Sequence, residues 1–297
     1  MNSICHLIYI PLRDVGIDLR DDEWFQERIE VFKNYTLRSL QNQTNQNFVI
    51  WISVRPEDEF NLLVADLANY MQDHGVRYVM TFDGLMYYDD KFAPGFMNKV
   101  RNMGRIVRAC WRIRSFNDFI PSVKMIFKDK NATLKERLGK SLAVLRPYFE
   151  GVDWVYMTRI DSDDMFHKEA VALIQSVDPF CGALVCGNGL IYNTTSNLLA
   201  EWQPPTNPPF HTIIFPENTW KTPNHVFFDA DRHIWYYRNF HSHEDVVKIF
   251  ETIQLPDYVY CVTTHNPINH ISTIWDHPFR KHLVDVDLIQ NYVGNNR

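Results

Sequence analysis

Long apolar runs are missing from this sequence of 297 residues, and no stretch approaches the length of a membrane-spanning helix. The apolar run near the N-terminus is too short for the hydrophobic region of a signal peptide, and no basic segment precedes it. We therefore expect a cytoplasmic protein without a membrane span.

Cysteine and glycine are both scarce. The five cysteines are odd in number and form no C-x-x-C pair, so the sequence predicts neither a disulfide framework nor a cysteine zinc site. Ordinary buried thiols of a reducing compartment are expected instead. The 11 glycines include no glycine-rich phosphate loop, which argues against the commonest nucleotide-binding motif.

An excess of positive charge is also missing. The 30 basic and 36 acidic residues leave a net charge of -6, which argues against a protein whose whole surface coats nucleic acid. The chain is 45% hydrophobic and 14% aromatic, as is typical of an ordered enzyme with a large core.

The first third of the sequence predicts alternating strands and helices. Apolar, β-branched runs predict strands over 5–10, 48–54 and 77–82, and helical spacing of apolar residues predicts helices over 24–43 and 62–74. Strands and helices of these lengths in this order indicate parallel βαβ units. Ligands in such sheets bind beyond the carboxyl ends of the strands.

The rest of the chain is less regular in its pattern. The elements we predict there are helices over 98–114, 134–149, 167–176 and 242–253, strands over 154–160 and 258–265, one or two strands over 183–193, and a proline-rich loop over 201–209. We expect an α/β fold whose C-terminal part is irregular.

An acidic cluster follows the predicted strand 154–160 directly. Asp161, Asp163 and Asp164 bring three carboxylates into four residues, where they repel one another unless a cation or hydrogen bonds offset the charge. Hard oxygen ligands of this kind suit Mg²⁺ or Mn²⁺, which also hold diphosphates. The structural alternative is a solvated acidic turn in which Ser162 or Asp164 caps the next helix.

The run TRIDSDDMFHKEAV, residues 158–171, resembles the D-x-D segment of glycosyltransferases with the GT-A fold. It is particularly similar to their rhamnosyltransferase-like, family 2-like group, and residues 32–54 are similar to the first helix and second strand of that group. The resemblance implies one GT-A domain over 1–297, with a Rossmann-like, mostly parallel sheet covered by helices on both faces. Residues 1–164 would be the nucleotide-sugar-binding half and 165–297 the acceptor and catalytic half.

The resemblance also implies roles for the acidic cluster. Asp161 would contact the ribose or sugar of the donor and, with Asp163, would ligate Mn²⁺ or Mg²⁺, while Asp164 would support the site or the acceptor. His265 and His270 are the candidates to complete the metal shell. A single histidine in such a strand is more often an ordinary core residue.

A general base is implied at the start of a late helix. Asp245, in the Glu244-Asp245 step, is the candidate to deprotonate the acceptor hydroxyl, which would give inversion at the anomeric carbon. The structural alternative is that these acids only stabilise the helix N-terminus. A retaining mechanism then remains open.

The nucleotide would lie at the ends of the first and third strands. Arg13, Arg55 and Asp83 occupy strand ends, where Asp83 could accept hydrogen bonds from the base and an arginine could neutralise phosphate. Arg105 belongs to a row of arginines at helical spacing that could contact donor phosphates. Ordinary turn residues and a solvated helix face are the alternatives.

The predicted function is metal-dependent transfer of a hexosyl or deoxyhexosyl group from a UDP-, GDP- or dTDP-linked donor to a hydroxyl of a glycan or other acceptor. One alternative is a transferase that acts on DNA or another anionic polymer through the arginine row. The others are a nucleotidyltransferase or phosphohydrolase and a non-catalytic glycan-binding scaffold.

Overall fold

The computed structural model describes most of the chain. The described ranges are 3–12, 22–83, 134–204, 210–221, 226–229, 234–237, 246–265 and 275–294, with the isolated positions 100, 103, 104 and 107. Within these ranges no helix combines the length and the apolar character needed to cross a membrane.

The strands fall into three sheets. In chain order they are β1 Ile4–Pro11, β2 Val49–Ser53, β3 Tyr78–Thr81, β4 Trp154–Arg159, β5 Met165–Phe166, β6 Gly182–Cys186, β7 Gly189–Asn193, β8 Leu198–Trp202, β9 His211–Pro216, β10 Thr219–Lys221, β11 Val226–Asp229, β12 Ile234–Tyr237, β13 Thr252–Leu255, β14 Tyr260–Thr264 and β15 Arg280–Val284.

The helices lie mainly in the N-terminal half of the chain and around β4. They are α1 Asp22–Val31, a π-helix Phe32–Leu37, α2 Arg38–Gln41, α3 Leu62–Asp73, α4 Leu134–Phe149, α5 Ala170–Ser176, α6 Val246–Ile249 and α7 Gln290–Val293. Two short 3₁₀ segments are Pro56–Asp58 and Val286–Ile289.

The central sheet has seven strands in the order β13-β6-β9-β4-β1-β2-β3. Strand β9 runs antiparallel to both of its neighbours, β4 and β6, while the other adjacent pairs are parallel. The predicted α/β class is therefore confirmed, and the sheet is mixed. The βαβαβ order of the first third appears as β1, α1 to α2, β2, α3 and β3.

Alternate residues of each strand point to opposite faces of the sheet, and helices pack on the apolar side chains of both faces. On one face Ile8 packs in a cluster with Phe25 of α1 and Leu67 of α3. On the other face Leu7 packs in a cluster with Leu145 of α4. The sheet is thus buried on both sides, as its nearly continuous apolar strands require.

The helix predicted over 24–43 contains a change of helical type. Its central part, Phe32–Leu37, is a π-helix, which widens the turn between α1 and α2. Tyr35 lies in this segment, and π-helical turns are often found next to functional sites. Periodicity alone does not distinguish a π-helical turn from an ordinary one.

The prediction of an irregular C-terminal part was wrong. A five-stranded sheet has the order β15-β8-β7-β14-β5, and a three-stranded sheet has the order β10-β11-β12. Strand β8 includes Glu201 and Trp202, which the sequence assigned to a loop. It pairs with its sequence neighbour β7 and with the distant β15, and the pairing with β15 is a long-range contact that no local pattern reveals.

The helix predicted over 242–253 ends earlier than predicted. In the described residues α6 spans Val246–Ile249, and β13 begins at Thr252 and pairs with β6. The predicted helix 98–114 lies almost entirely outside the described residues.

The buried side chain of His6 makes the stability of the fold depend on pH. Its ring is buried, with Nε2 2.7 Å from Thr158 Oγ1 and Nδ1 3.0 Å from Gln175 Nε2, and burial lowers its pKa to about 3. The unfolded chain therefore binds a proton below about pH 6.5 that the folded chain does not, and stability falls as the pH drops through this window.

We expect His6→Gln to reduce this pH dependence by about 1.4 kcal/mol per pH unit between about pH 6 and pH 4. Urea unfolding at several pH values measures it. His74→Gln is the matched control, because His74 is exposed. An unchanged slope in the His6 variant would contradict the assignment.

Candidate functional site

The acidic cluster lies at the carboxyl edge of the central sheet. Strands β1 to β4 are held by parallel pairings, so their carboxyl ends share that edge. The turn Asp161–Asp164 follows the last residue of β4, Arg159, by one residue. This is the edge at which ligands bind in open α/β sheets.

Asp163 is held by an arginine from α1. Arg28 donates from Nη1 to Asp163 Oδ2 at 2.7 Å and from Nη2 to Asp163 Oδ1 at 2.8 Å. Its Nε also donates to Ser162 Oγ at 3.0 Å. The ion pair is bidentate and nearly buried, with side-chain exposures of 13% for Arg28 and 9% for Asp163. Such a planar fork is the strongest common form of charged hydrogen bond.

Asp161 is paired with the arginine that ends β4. Arg159 Nη2 lies 3.1 Å from Asp161 Oδ1, and the Asp161 side chain is 30% exposed. Asp161 is therefore the carboxylate of the cluster that faces solvent most openly.

Asp164 points inward. It is buried, and its Oδ1 accepts a hydrogen bond from the backbone N–H of Thr263 in β14 at 2.9 Å. Burial, followed by the negative charges of Asp163 and Asp161, raises the pKa of Asp164 well above its ordinary value. This carboxyl group links the acidic turn to the C-terminal sheet.

His265 packs next to the turn but has its own partners. Its Nε2 lies 2.5 Å from Thr263 Oγ1, and Thr263 Oγ1 donates to the carbonyl oxygen of Asp163. Nδ1 lies 3.3 Å from Thr194 Oγ1, so both ring nitrogens face hydroxyl groups. Burial lowers the pKa of His265 to about 4, and its ring centroid is 4.7 Å from that of Tyr35.

Residues 17–77 match the family model described as "Putative rhamnosyl transferase". No curated protein matches the chain. The match supports a glycosyltransferase-like assignment for this α/β protein.

The matched segment contributes side chains to the site, although it lies far from the acidic turn in sequence. It contains Arg28, which holds Asp163, and Tyr35, which packs on His265. The acidic turn itself, at 161–164, lies outside the match. The segment similar to a transferase family and the acidic turn are therefore joined by direct contacts.

Asp83 is at the carboxyl end of β3, as predicted, and its carboxylate is enclosed by hydroxyl groups. Ser53 Oγ donates to Oδ1 at 2.5 Å, Thr81 Oγ1 donates to Oδ2 at 2.8 Å, and Ser141 Oγ of α4 also donates to Oδ2. The residue is 2% exposed. Through Asp83, these hydrogen bonds connect the carboxyl ends of β2 and β3 to α4.

Arg55 also has a structural partner. Its Nε donates to Asp58 Oδ2 at 2.9 Å across the 3₁₀ turn that follows β2, and both side chains are buried. The role in nucleotide binding suggested by the sequence remains a prediction.

Other predicted site residues lie outside the described residues. These are Arg13, Arg105, Glu244, Asp245 and His270. Their predicted roles as phosphate ligands, acidic pair, general base and metal ligand stay predictions.

The described residues do not form a ready divalent-metal site. In the described part of the chain, no three His, Cys, Asp or Glu side chains gather as metal ligands do. Both oxygens of Asp163 accept from Arg28, Asp164 accepts from Thr263, and Nε2 of His265 faces a hydroxyl. Asp163 is thus already neutralised by an arginine, which opposes a dication there, while Asp161 stays 30% exposed, and the predicted Mn²⁺ or Mg²⁺ stays a prediction.

Sequence reasoning missed Arg28 and Thr263. Arg28 lies among the apolar positions of α1 and reads as an ordinary polar helix residue. Thr263 is one of two adjacent threonines in a buried strand. Their importance comes from contacts across 135 and 99 residues of sequence, for which the local pattern has no signal.

Proposed function

We propose that this protein is a glycosyltransferase that moves a sugar from a nucleotide-sugar donor to an acceptor hydroxyl. The observation that supports it most is the acidic turn at the carboxyl edge of a βαβαβ sheet, in direct contact with the segment that matches a rhamnosyl transferase family. We assign this arrangement to a GT-A-like fold on the same grounds.

In the proposed reaction the acceptor oxygen forms a bond to the anomeric carbon while the bond from that carbon to the diphosphate breaks. The acceptor proton passes to a base, and the nucleoside diphosphate leaves. Asp245 stays the predicted base, and its position decides between inversion and retention.

The acidic turn would hold the donor sugar. Asp161 is the carboxylate there that keeps the most solvent access, so its free edge can accept hydrogen bonds from sugar hydroxyls. The carboxylates of Asp163 and Asp164 are more buried and accept hydrogen bonds from Arg28 and Thr263, so they would fix the conformation of the turn. The name of the matched family makes a rhamnosyl donor the first to test.

The test is donor binding and turnover with a panel of UDP-, GDP-, dTDP- and CMP-sugars, including rhamnosyl donors. We expect one donor to be hydrolysed slowly in the absence of acceptor. We expect Asp161→Asn to lower that rate about 100-fold, since it removes a charge that contacts the reacting sugar.

Asp66→Asn is the matched control, because it removes an exposed carboxylate of α3 far from the turn in sequence. Circular dichroism of both variants checks folding. Failure of every donor to bind the wild-type protein would contradict a nucleotide-sugar enzyme and favour the glycan-binding scaffold.

A further inference from the structure

Two arginines contact the acidic turn Asp161–Asp164. Arg28 reaches it from α1 and uses three of its N–H groups on Ser162 Oγ and on both oxygens of Asp163. Arg159 reaches it from the end of β4 and contacts Asp161. Each of the two outer carboxylates of the D-x-D sequence therefore has its own guanidinium.

The charges of four of these side chains balance. Asp161 and Asp163 contribute two negative charges, and Arg28 and Arg159 contribute two positive charges, the same as one divalent cation. The contact distances of 2.7–3.1 Å are those of direct ion pairs. Repulsion between the carboxylates is thus offset by fixed side chains.

A divalent ion on Asp163 would compete with Arg28 for both carboxylate oxygens. Mg²⁺ binds carboxylate oxygens at about 2.0–2.1 Å, and both oxygens of Asp163 already accept N–H groups. The displaced guanidinium would then lie next to a dication in a nearly buried position, where like charges repel strongly.

Arg159 has an additional donor. Its side chain is 9% exposed, and Nε has no hydrogen-bond partner among the described residues. A buried charged N–H without an acceptor is costly, and such groups normally find a partner in a ligand, water or another side chain. An anionic oxygen of a bound ligand would satisfy this donor.

We propose that Arg28 and Arg159 take the place of a divalent cation at the D-x-D turn. They hold Asp161 and Asp163 in position, and Nε of Arg159 donates to an anionic oxygen of the ligand. The Mn²⁺ or Mg²⁺ predicted from the sequence is then not required. That the ligand is a sugar diphosphate rests on the proposed function, whereas the exclusion of the cation does not.

Titration with Mn²⁺, followed by electron paramagnetic resonance and by the melting temperature, tests the exclusion directly. We expect wild type to leave Mn²⁺ free at millimolar concentration and to melt at an unchanged temperature. In Arg28→Gln, Asp163 loses its counter-charge, and we expect Mn²⁺ to bind at least about 10-fold more tightly and to raise the melting temperature.

Arg28→Lys keeps the positive charge and is expected to exclude Mn²⁺ as wild type does. The wild-type titration decides the matter if Arg28→Gln does not fold. Arg146→Gln is the matched control, since Arg146 is exposed on α4. Tight Mn²⁺ binding by wild type, or Mn²⁺ binding by the lysine variant equal to that of the glutamine variant, would overturn the proposal.

Turnover with a chelator separates this inference from the proposed function. If a donor is turned over, we expect EDTA to leave the rate unchanged, and loss of turnover in EDTA would overturn the cation-free site. If no donor is turned over, the proposed function fails, while the Mn²⁺ titration still decides whether the arginines exclude the metal.

Discussion

Asp163→Ala is expected to lower the free energy of unfolding by about 3 kcal/mol. The substitution leaves Arg28, whose side chain is 13% exposed, without the carboxylate that accepts two of its N–H groups. Removing one partner of a buried ion pair costs about 3–5 kcal/mol because the remaining charge is left without compensation. The lower end applies here because Arg28 keeps its bond to Ser162.

A double-mutant cycle measures the interaction energy between Arg28 and Asp163. We expect Arg28→Met combined with Asp163→Ala to be more stable than Asp163→Ala alone, because the uncompensated charge is gone. Urea unfolding at pH 7 measures all three variants, and Asp66→Ala is the control for loss of an exposed carboxylate. Additive effects of the two single substitutions would show that the two side chains do not interact.

Asp83→Ala is expected to cost about 4 kcal/mol. The carboxylate accepts from the hydroxyl groups of Ser53, Thr81 and Ser141, and its loss leaves three buried hydroxyls without their acceptor. Hydrogen bonds to a charged group contribute about 1.5–3 kcal/mol each, and shared networks give less than the sum. Thr81 Oγ1 also accepts a hydrogen bond from Trp51 Nε1 at 2.7 Å, so the loss of Asp83 also disturbs a hydrogen bond of the buried Trp51.

Asp83→Asn distinguishes a structural role from nucleotide binding. The asparagine keeps one carbonyl acceptor for the hydroxyl groups, so we expect a loss of about 2 kcal/mol by urea unfolding. A purely structural Asp83 leaves the KM for the donor unchanged in this variant. A KM raised 10-fold or more for one nucleotide, with folding intact, would instead support the contact with the base that the sequence predicted.

Much of the site's location follows from local sequence. The alternation of apolar strands and amphipathic helices predicts β1 to β3 with α1 and α3, and the bounds of α4 agree with the predicted 134–149. The acidic turn was predicted directly after a buried strand, and it lies there after β4. These features rest on periodicities of two and 3.6 residues, which are properties of neighbouring positions.

The C-terminal sheet could not be predicted in the same way. Strand β8 pairs with β15 through Ala200 and Leu283, and β14 pairs with β7 through Val262 and Ile191. The predicted strand over 258–265 contains β14, whereas β5, β8 and β15 have two to five residues, too few for a distinct alternation. The partners β15 of β8 and β7 of β14 lie far away in the chain. Pairing with distant strands therefore determines which of these residues form strands, because their local strand propensity is weak.

The sequence by itself determined that an α/β sheet ends in a dense acidic turn, because strand and turn chemistry are local. Only the tertiary structure decided what surrounds those carboxylates: Arg28 on Asp163, Arg159 on Asp161 and the Thr263 N–H on Asp164. A carboxylate looks the same in sequence whether a metal or a guanidinium neutralises it. The choice depends on which cation the fold brings within about 3 Å, and that is set by packing between segments far apart in the chain.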